Sequence, residues 1–557
     1  MKISNTFLYA LLDRKNSYWI VILIAFSAKA ILTAVFSNYE GDKSFYLLLA
    51  QSLGDGKGFS VPVSLLSNPS VTDHVYIPSA VSPLYSFLAM PLLKIFPGNF
   101  FLVTWIIESL SWLLLFIMLY RILKLLVGIN FWCNVFILFS GFFLYNVELS
   151  SSSKDVLATA LVFVALLQCL RITGSSNKIS TGQAIIFAVL FILPGLVKYT
   201  YLPLVLVFPF ALLFTYFINR QNRVLRAGLL TGLFSVLFLI VHYVYFRSLE
   251  TTALNEHAVF YTNRWSLAKS GEEFIPGFYP ENLLRLYPFT LAAFFNLDVG
   301  GIWVRTLAPS LYNAYGLALF FINILGIATI AALFVYVARK YFRKPVTSRI
   351  SFFLIGSIIS FSMLFLASAL SLRYHAIEYK GSISSWTYVF ENRPFIFSIL
   401  FIQLGAFIFL VLKPAGPVFF LWLRRAILTL AIFAFIHGFY FIIKAGINPA
   451  SVKPKTSSVN KLAVHDAGKF SELNPGKNVW IATEMQPLDW YAKLKGIKLL
   501  NHLSYLNDTA YKLPPNTILL TVVPQEDRSR LSSYLSSGKI DSSWNYDNTW
   551  FVYLEKN

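Results

Sequence analysis

The sequence predicts a mostly α-helical, polytopic membrane protein, in which a bundle of about eleven transmembrane helices precedes a small extracytoplasmic α/β domain. Three observations predict this class. Of 557 residues, 57% are hydrophobic and only 13% are charged, against about 25% charged in a soluble globular protein. Apolar stretches long enough to cross a bilayer recur through most of the chain. From about residue 449 onward the composition turns polar and rich in Ser, Asn and Lys.

Taking about 20 apolar residues as one crossing, we place the crossings at residues 18–36, 100–120, 131–147, 156–170, 183–197, 202–217, 225–246, 314–338, 350–372, 394–412 and 418–443. The first has no cleavage pattern after it, so we expect an uncleaved anchor. Residues 1–448 are thus predicted to form a membrane domain. Its two long outside loops, residues 37–99 and 247–313, are expected to be ordered because both contain Pro and aromatic residues.

The formal net charge of +20 would by itself suit a protein that binds nucleic acid. Here the basic residues concentrate in alternate loops, with clusters at residues 220–226 and 339–349, whereas the other loops collect carboxylates. This pattern follows the positive-inside rule. We therefore expect no nucleic acid partner, a cytoplasmic N-terminus and an extracytoplasmic C-terminal domain on a plasma or inner membrane.

Residues 449–557 alternate between strand and helix patterns. Strand-like runs at residues 478–485, 496–500, 516–523 and 549–554 are separated by helix-like runs at residues 488–496 and 526–538. The segment has no Gly-rich phosphate loop and no metal-ligand spacing. An accessory role in binding or assembly is therefore favoured over catalysis.

Carboxylates that could act in catalysis lie beside predicted crossings on the outer side of the membrane. Asp42, with Glu40, comes after the first crossing, and Glu148 and Asp155 bracket the turn between the third and fourth. Such a group can act as a general base, whereas a loop acid can also be simply solvated or cap a helix. If residues 43–53 form a helix, Asp42 and Tyr46 share one face of it.

Basic residues at the outer ends of crossings run against the orientation rule. They are Lys198, Arg247, Arg373 and Arg393. A lipid phosphate at that depth would need such partners, although snorkelling towards head groups is the alternative explanation for each. Two further charges, Lys29 and Glu108, fall inside crossings, and we expect them to pair and fix helix packing. The histidines show no i, i+4 pair, so no zinc site is indicated.

The segment after the first crossing resembles the membrane glycosyltransferases of the GT-C class. The matching residues are Asp42, Tyr46, Ala50, Leu53, Gly56, Gly58 and Phe59, followed by SPLYSFLAMPLLKIFPG at residues 82–98. Within that class the chain is most similar to bacterial protein O-mannosyltransferases and aminoarabinose transferases. It departs from them at Lys43, where many relatives have an acidic residue, and before Arg247, which lacks the usual Pro-Trp.

The resemblance implies transfer of a sugar from a polyprenyl-phosphate carrier to a lipid, glycan or protein acceptor, with inversion of configuration. Asp42 would be the base, and Asp155 or Glu148 would orient the acceptor or support the site. Glu40 and Tyr46 would contact substrate. Lys198, Arg247, Arg373 and Arg393 would bind donor phosphate. No cofactor is required, and a divalent metal is an option with no ligand set assigned.

Three other functions remain open. A flippase for lipid-linked sugars would place charges through the bundle at mid-depth, as Lys29 and Glu108 are. A glycan polymerase or ligase has a similar outline without the pattern at residues 42–59. An assembly protein built around residues 449–557 would need no catalytic carboxylate.

Overall fold

The computed structural model describes residues 17–36, 42–64, 74–78, 82–143, 153–174, 179–198, 201–250, 347–370, 396–412, 418–449, 459–482, 497–500, 515–524, 542–546 and 550–556. Three predicted features lie outside these ranges: the crossing at residues 314–338, the loop at residues 247–313 from residue 251 onward, and the two helix-like runs of the C-terminal segment. The positions of Glu40, Glu148, Arg373 and Arg393 also do.

The described part of the chain is mostly helical. Its helices are α1 (Ser17–Phe36), α2 (Asp42–Gly54), α3 (Leu84–Ile95), α4 (Phe100–Val127), α5 (Asn130–Phe142), α6 (Ser153–Gly174), α7 (Thr181–Val197), α8 (Leu204–Asn219), α9 (Asn222–Glu250), α10 (Ser348–Leu370), α11 (Ile396–Leu412), α12 (Val418–Ile447) and α13 (Val459–Leu473). The strands are β1 (Ser60–Ser64), β2 (His74–Pro78), β3 (Asn478–Ala482), β4 (Lys498–Leu500), β5 (Thr517–Pro524), β6 (Ser542–Tyr546) and β7 (Trp550–Lys556).

Apolar helices occupy the predicted crossings wherever the structure describes them, as α1 and as α4 to α12. Within the described ranges, four helices are long and apolar enough to cross a membrane: Ser17–Val35, Phe100–Val127, Lys154–Gly174 and Asn222–Tyr245. Shorter apolar helices accompany them. The prediction of a mostly helical protein with several apolar helices is confirmed, and the total of eleven crossings stays a prediction.

The chain forms two compact units. The first comprises Met1–Ser37, Trp105–Thr251 and Glu256–Val452, and so contains α1, most of α4, and α5 to α12. The second comprises Asn38–Thr104, Thr252–Asn255 and Lys453–Asn557, and so contains α2, α3 and all seven strands together with α13. The early segment around α2 therefore belongs to the same unit as the C-terminal sheet.

Helix α6 is at the centre of the first unit. It contacts α7, α8, α9, α10 and α11, and residues 154–163 are all buried. Its small side chains, including Ala158, Ala160 and Ala165, allow this close approach, because membrane helices pack best through small residues. Aromatic rings fill the wider gaps, as where Phe163 meets Phe397 of α11 at a centroid distance of 4.9 Å.

Polar contacts in the first unit join helix ends that the charge pattern places on one side of the membrane. At ends predicted to be inside, Asn134 of α5 donates to the Ser17 hydroxyl (3.0 Å), Arg223 of α9 to the Thr173 carbonyl (3.0 Å) and Arg349 of α10 to the Leu126 carbonyl (2.6 Å). At ends predicted to be outside, Lys198 bonds Asp155 and Lys29 bonds the Phe143 carbonyl. These contacts agree with the predicted directions of the helices that they join, which are α1, α4, α5, α6, α7, α9 and α10. The assignment of one side to the cytoplasm rests on the charge pattern.

Helices α1 and α5 run parallel and touch through their backbones. A Cβ on Gly141 of α5 would be only 2.5 Å from Cα of Ala25 of α1. Glycine is therefore the residue that allows this approach. The same helix pair contributes Ala28, Leu32 and Phe142 to an apolar cluster with residues of α12.

In the second unit, α2 and α3 pack against each other and precede and follow a β-hairpin. Strands β1 and β2 are antiparallel, with Ser60 opposite Pro78. Residues 43–50 of α2 are all buried, as expected of a helix that is apolar around most of its circumference. The helix predicted at residues 43–53 is confirmed, whereas the hairpin was not predicted.

The C-terminal segment contains a five-stranded mixed sheet in the order β4-β3-β5-β7-β6. Strand β3 is parallel to β4 and β5, and β7 is antiparallel to both β5 and β6. Helix α13 covers one face with Ala463, Val464 and Ala467 against side chains such as Ile481 and Leu520. The strand-like runs do form strands, and the structure adds β6 and α13.

The contact between Gly141 and Ala25 predicts different effects on thermal stability for two glycine substitutions. Gly141→Ala should lower the apparent Tm of the purified protein, because the new methyl group must push α1 and α5 apart. Gly232→Ala is the matched control: its Cβ would lie 3.5 Å from Pro209, so helix propensity should make it neutral or slightly stabilising. Equal Tm values for both variants would contradict the close approach.

Candidate functional site

The candidate site is built around Asp155, which lies in the first turn of α6. The side chain is completely buried. A carboxylate at this position is favoured by the positive end of the helix dipole. Burial nevertheless makes the charge costly unless a cation and hydrogen bonds compensate it. Since Asp155 has no exposed surface, it cannot contact a substrate directly in this conformation.

The compensating cation is Lys198, at the reversal between α7 and α8. Lys198 ends α7, where its N–H donates to the Pro194 carbonyl (3.1 Å), and its own carbonyl accepts from the N–H of Tyr201 (2.9 Å). A Cβ at Gly195 would be 2.9 Å from Cα of Leu202, so glycine permits the chain to fold back this tightly. The backbone at Lys198 is therefore held by contacts on both sides.

The Lys198 ammonium donates to Oδ1 of Asp155 at 2.8 Å. The two residues are brought together from helices α6 and α7, and the Lys198 side chain is 18% exposed whereas that of Asp155 is fully buried. An ammonium has three N–H donors. The ion pair therefore presents a fixed cation whose partly exposed head can take a second, anionic partner.

Tyr201 adds a buried hydroxyl to this cluster. Its side chain is fully buried, and burial, followed by the negative charge of Asp155, raises the pKa of Tyr201 above its ordinary value. The hydroxyl therefore stays protonated and can act only as a neutral hydrogen-bonding group. We made no prediction for Tyr201, because a tyrosine between two apolar runs has no signature that separates it from other interfacial aromatics.

Asp42 is the first residue of α2, and the contacts of Tyr46 fix the register of this helix. The Tyr46 hydroxyl is 3.2 Å from Oγ of Ser82, and Oγ of Ser86 donates to the Tyr46 carbonyl (2.9 Å). The ring of Tyr46 meets that of Tyr85 edge-on at 5.7 Å. Tyr46 is 7% exposed, so its main contacts are with α3. The predicted contact of Tyr46 with substrate stays untested.

The remaining predicted site residues are described in part or not at all. Arg247 belongs to the last turn of α9, of which the structure describes the backbone. Glu40, Glu148, Arg373 and Arg393 lie outside the described residues. Among the side chains that are described, no three from His, Cys, Asp and Glu come together as a metal site would require. A divalent metal therefore stays without an assigned ligand set.

Solved structures similar to this chain include two of ArnT from Cupriavidus metallidurans. The one bound to undecaprenyl phosphate is 12% identical, with a TM-score of 0.45 over 97% of this chain and 98% of that chain. The apo structure is also 12% identical, with a TM-score of 0.46 over 96% and 97%. The Archaeoglobus fulgidus oligosaccharyltransferase in complex with zinc and sulfate is 13% identical, with a TM-score of 0.46 over 90% of this chain and 67% of that chain.

The sequence matches no family model and no curated protein. Identities of 12–13% and TM-scores below 0.5 do not support a conclusion about the activity of this chain.

The ion pair predicts that replacing one partner lowers the free energy of unfolding more than replacing both partners does. Lys198→Met removes the cation beside a fully buried carboxylate and should destabilise the protein by about 3 kcal/mol, at the low end for buried pairs because Lys198 is partly exposed. The double variant Asp155→Leu with Lys198→Met should recover most of that loss. Chemical denaturation in detergent measures both, and a double variant that is less stable than Lys198→Met would contradict a buried pair.

Tyr46 and Ser82 should show a measurable coupling energy. Tyr46→Phe and Ser82→Ala each remove the same hydroxyl contact, so each should cost about 1 kcal/mol and the double variant should cost little more than either. Strict additivity of the two single effects in denaturation experiments would show that these hydroxyls are not hydrogen-bonded.

Proposed function

We propose that the chain is an inverting glycosyltransferase. It moves a sugar from a polyprenyl-phosphate carrier to a lipid, glycan or protein acceptor on the outer face of a bacterial plasma or inner membrane. The observation that carries the proposal is Asp42 at the start of α2, a buried helix whose register is fixed by Tyr46. This is the position, after the first crossing, of the acidic residue in the motif that the chain resembles.

Asp42 acts as the general base in this proposal. The acceptor O–H or N–H gives its proton to the Asp42 carboxylate, and the acceptor atom attacks the anomeric carbon from the face opposite the phosphate. The bond between the anomeric carbon and the phosphate oxygen breaks, and polyprenyl phosphate leaves with the electron pair. The helix N-terminus favours the ionised carboxylate that a base requires. Because the leaving group arrives with the lipid, no nucleotide takes part.

Lys198 binds the departing phosphate in the proposed mechanism. Its backbone is held at the α7–α8 reversal, and its head is oriented by Asp155 but partly exposed. Charge-assisted hydrogen bonds from such a donor stabilise developing negative charge on oxygen. Arg247, Arg373 and Arg393 are proposed as further phosphate partners, and Glu40 as a substrate contact. The buried position of Asp155 favours support of the site, which leaves Glu148 as the candidate that orients the acceptor.

The rival function, transport of a lipid-linked sugar, predicts functional charges distributed through the bundle at mid-depth. Lys29, the clearest of these, is completely buried and donates to a helix-end carbonyl. A charge held in this way packs two helices together, so the structure favours the enzyme over the transporter.

Release of polyprenyl phosphate tests the proposal without knowledge of the acceptor. Protein added to a whole-membrane extract, which supplies lipid-linked sugars together with lipid, glycan and protein acceptors, should convert a sugar-bearing carrier into free polyprenyl phosphate, and mass spectrometry measures this conversion. Asp42→Asn should lower this rate by about 100-fold or more. Asp55→Asn is the matched control, because Asp55 is an exposed carboxylate in the turn after α2 and should leave the rate unchanged.

Two outcomes would refute the assignment. Wild-type rates in Asp42→Asn would exclude Asp42 as the base, and intact sugar-bearing carrier with the wild-type protein would exclude the transferase. The mass of the carrier that disappears identifies the sugar.

A further inference from the structure

Lys29 is a buried cation in the middle third of α1, with no solvent-exposed surface. Its ammonium donates to the main-chain carbonyl of Phe143, the residue that ends α5. It also lies 4.7 Å from the centroid of the Trp112 ring. Glu108, which is likewise fully buried, precedes Trp112 by one turn on the same face of α4.

These surroundings compensate a charge that would otherwise be very costly to bury. The carbonyls at a helix C-terminus carry partial negative charge, and the face of a tryptophan ring attracts cations. Lys29 is thus surrounded by negative potential from two helices.

The contact with Phe143 depends on the close approach of α1 and α5. Ala25, which nearly touches Gly141, lies one turn before Lys29 on α1. Because Gly141 is two residues before Phe143, the short distance between backbones brings the end of α5 within reach of the Lys29 side chain. The contact between Gly141 and Ala25 and the hydrogen bond from Lys29 therefore both hold the C-terminal end of α5.

The end of α5 leads, along the chain, to the helix of the candidate site. After Phe143 the next described helix is α6, whose first turn contains Asp155, bonded to Lys198. Lys29 thus holds the residue before segment 144–152, and Lys198 holds the turn after that segment.

We propose that Lys29 is a positioning residue that holds the outer end of α5, the helix that precedes α6 and Asp155 in the chain. This inference deepens the proposed function and rests on it for the effect on transfer. The anchoring of α5 is a separate, measurable property of the fold.

Thiol reactivity at position 140 measures that anchoring directly. Ser140 lies in the last turn of α5 and is fully buried, and its hydroxyl has no hydrogen-bond partner among the described residues. Ser140→Cys is therefore a mild change. The native thiols, Cys133 and Cys169, are buried and are replaced by Ala, so that the thiol introduced by Ser140→Cys is the single reporter for a small maleimide.

Lys29→Met should raise the labelling rate of this reporter thiol by about tenfold or more, because losing a hydrogen bond to a charged group raises the open population by that factor. Asn134→Leu is the matched control. It removes a second polar contact between α1 and α5, the bond from Asn134 to Ser17, at the opposite end of the helix pair, and should leave the reporter thiol protected. If Lys29→Met does not accumulate, Lys29→Gln, which keeps a donor, should give an intermediate rate.

Unchanged labelling in Lys29→Met, or an equal increase in Asn134→Leu, would overturn the anchoring. In the polyprenyl phosphate assay, transfer should fall about tenfold in Lys29→Met and stay near wild type in Asn134→Leu. A labelling change without a transfer change would overturn the positioning role alone. If the wild-type protein shows no transfer but the reporter thiol responds as expected, the proposed function fails and the anchor stands.

Discussion

The first unit depends on the pairing of one fully buried carboxylate, Asp155, with one lysine, Lys198. Asp155 opens α6, the helix that contacts five others, so its charge must be compensated for that packing to form. Lys198 meets it from a reversal that Gly195 and flanking backbone bonds make tight. The ion pair therefore couples the start of the central helix to the turn between α7 and α8.

Basic side chains also compensate negative charge at the other side of the bundle, where they bind the C-termini of neighbouring helices. Arg223 and Arg349 donate to the carbonyls of Thr173 and Leu126, in the last turns of α6 and α4. Both carbonyls belong to helix C-termini, whose negative partial charge favours a cation. Basic residues that would be explained by membrane orientation alone thus also cap neighbouring helices. Arg223 and Arg349 therefore contribute both to membrane orientation and to helix packing.

Hydrophobic runs were enough to place α1 and α4 to α12, because a membrane helix is specified by its own composition. Partners of buried charges were harder to predict. Lys29 donates to the main-chain carbonyl of Phe143, and a carbonyl has no signature in a sequence; the predicted pairing of Lys29 with Glu108 stays a prediction. Lys198 and Asp155 were both candidate site residues, yet their pairing depends on how α6 and α7 pack. The motif at residues 42–59 predicted the helix of Asp42, whereas the contact with Ser82 required the fold of α3.

The arrangement of the C-terminal sheet has a consequence for biosynthesis. Strand β7 lies between β5 and β6, although it comes after both in the sequence. The sheet cannot be completed until β7 has left the ribosome, and α2, which belongs to the same compact unit, is translated long before that. The segment with Asp42 is therefore synthesised before the helical bundle, whereas the rest of its unit is synthesised after the bundle. Nascent chains stalled before β7 should be the ones most sensitive to proteases.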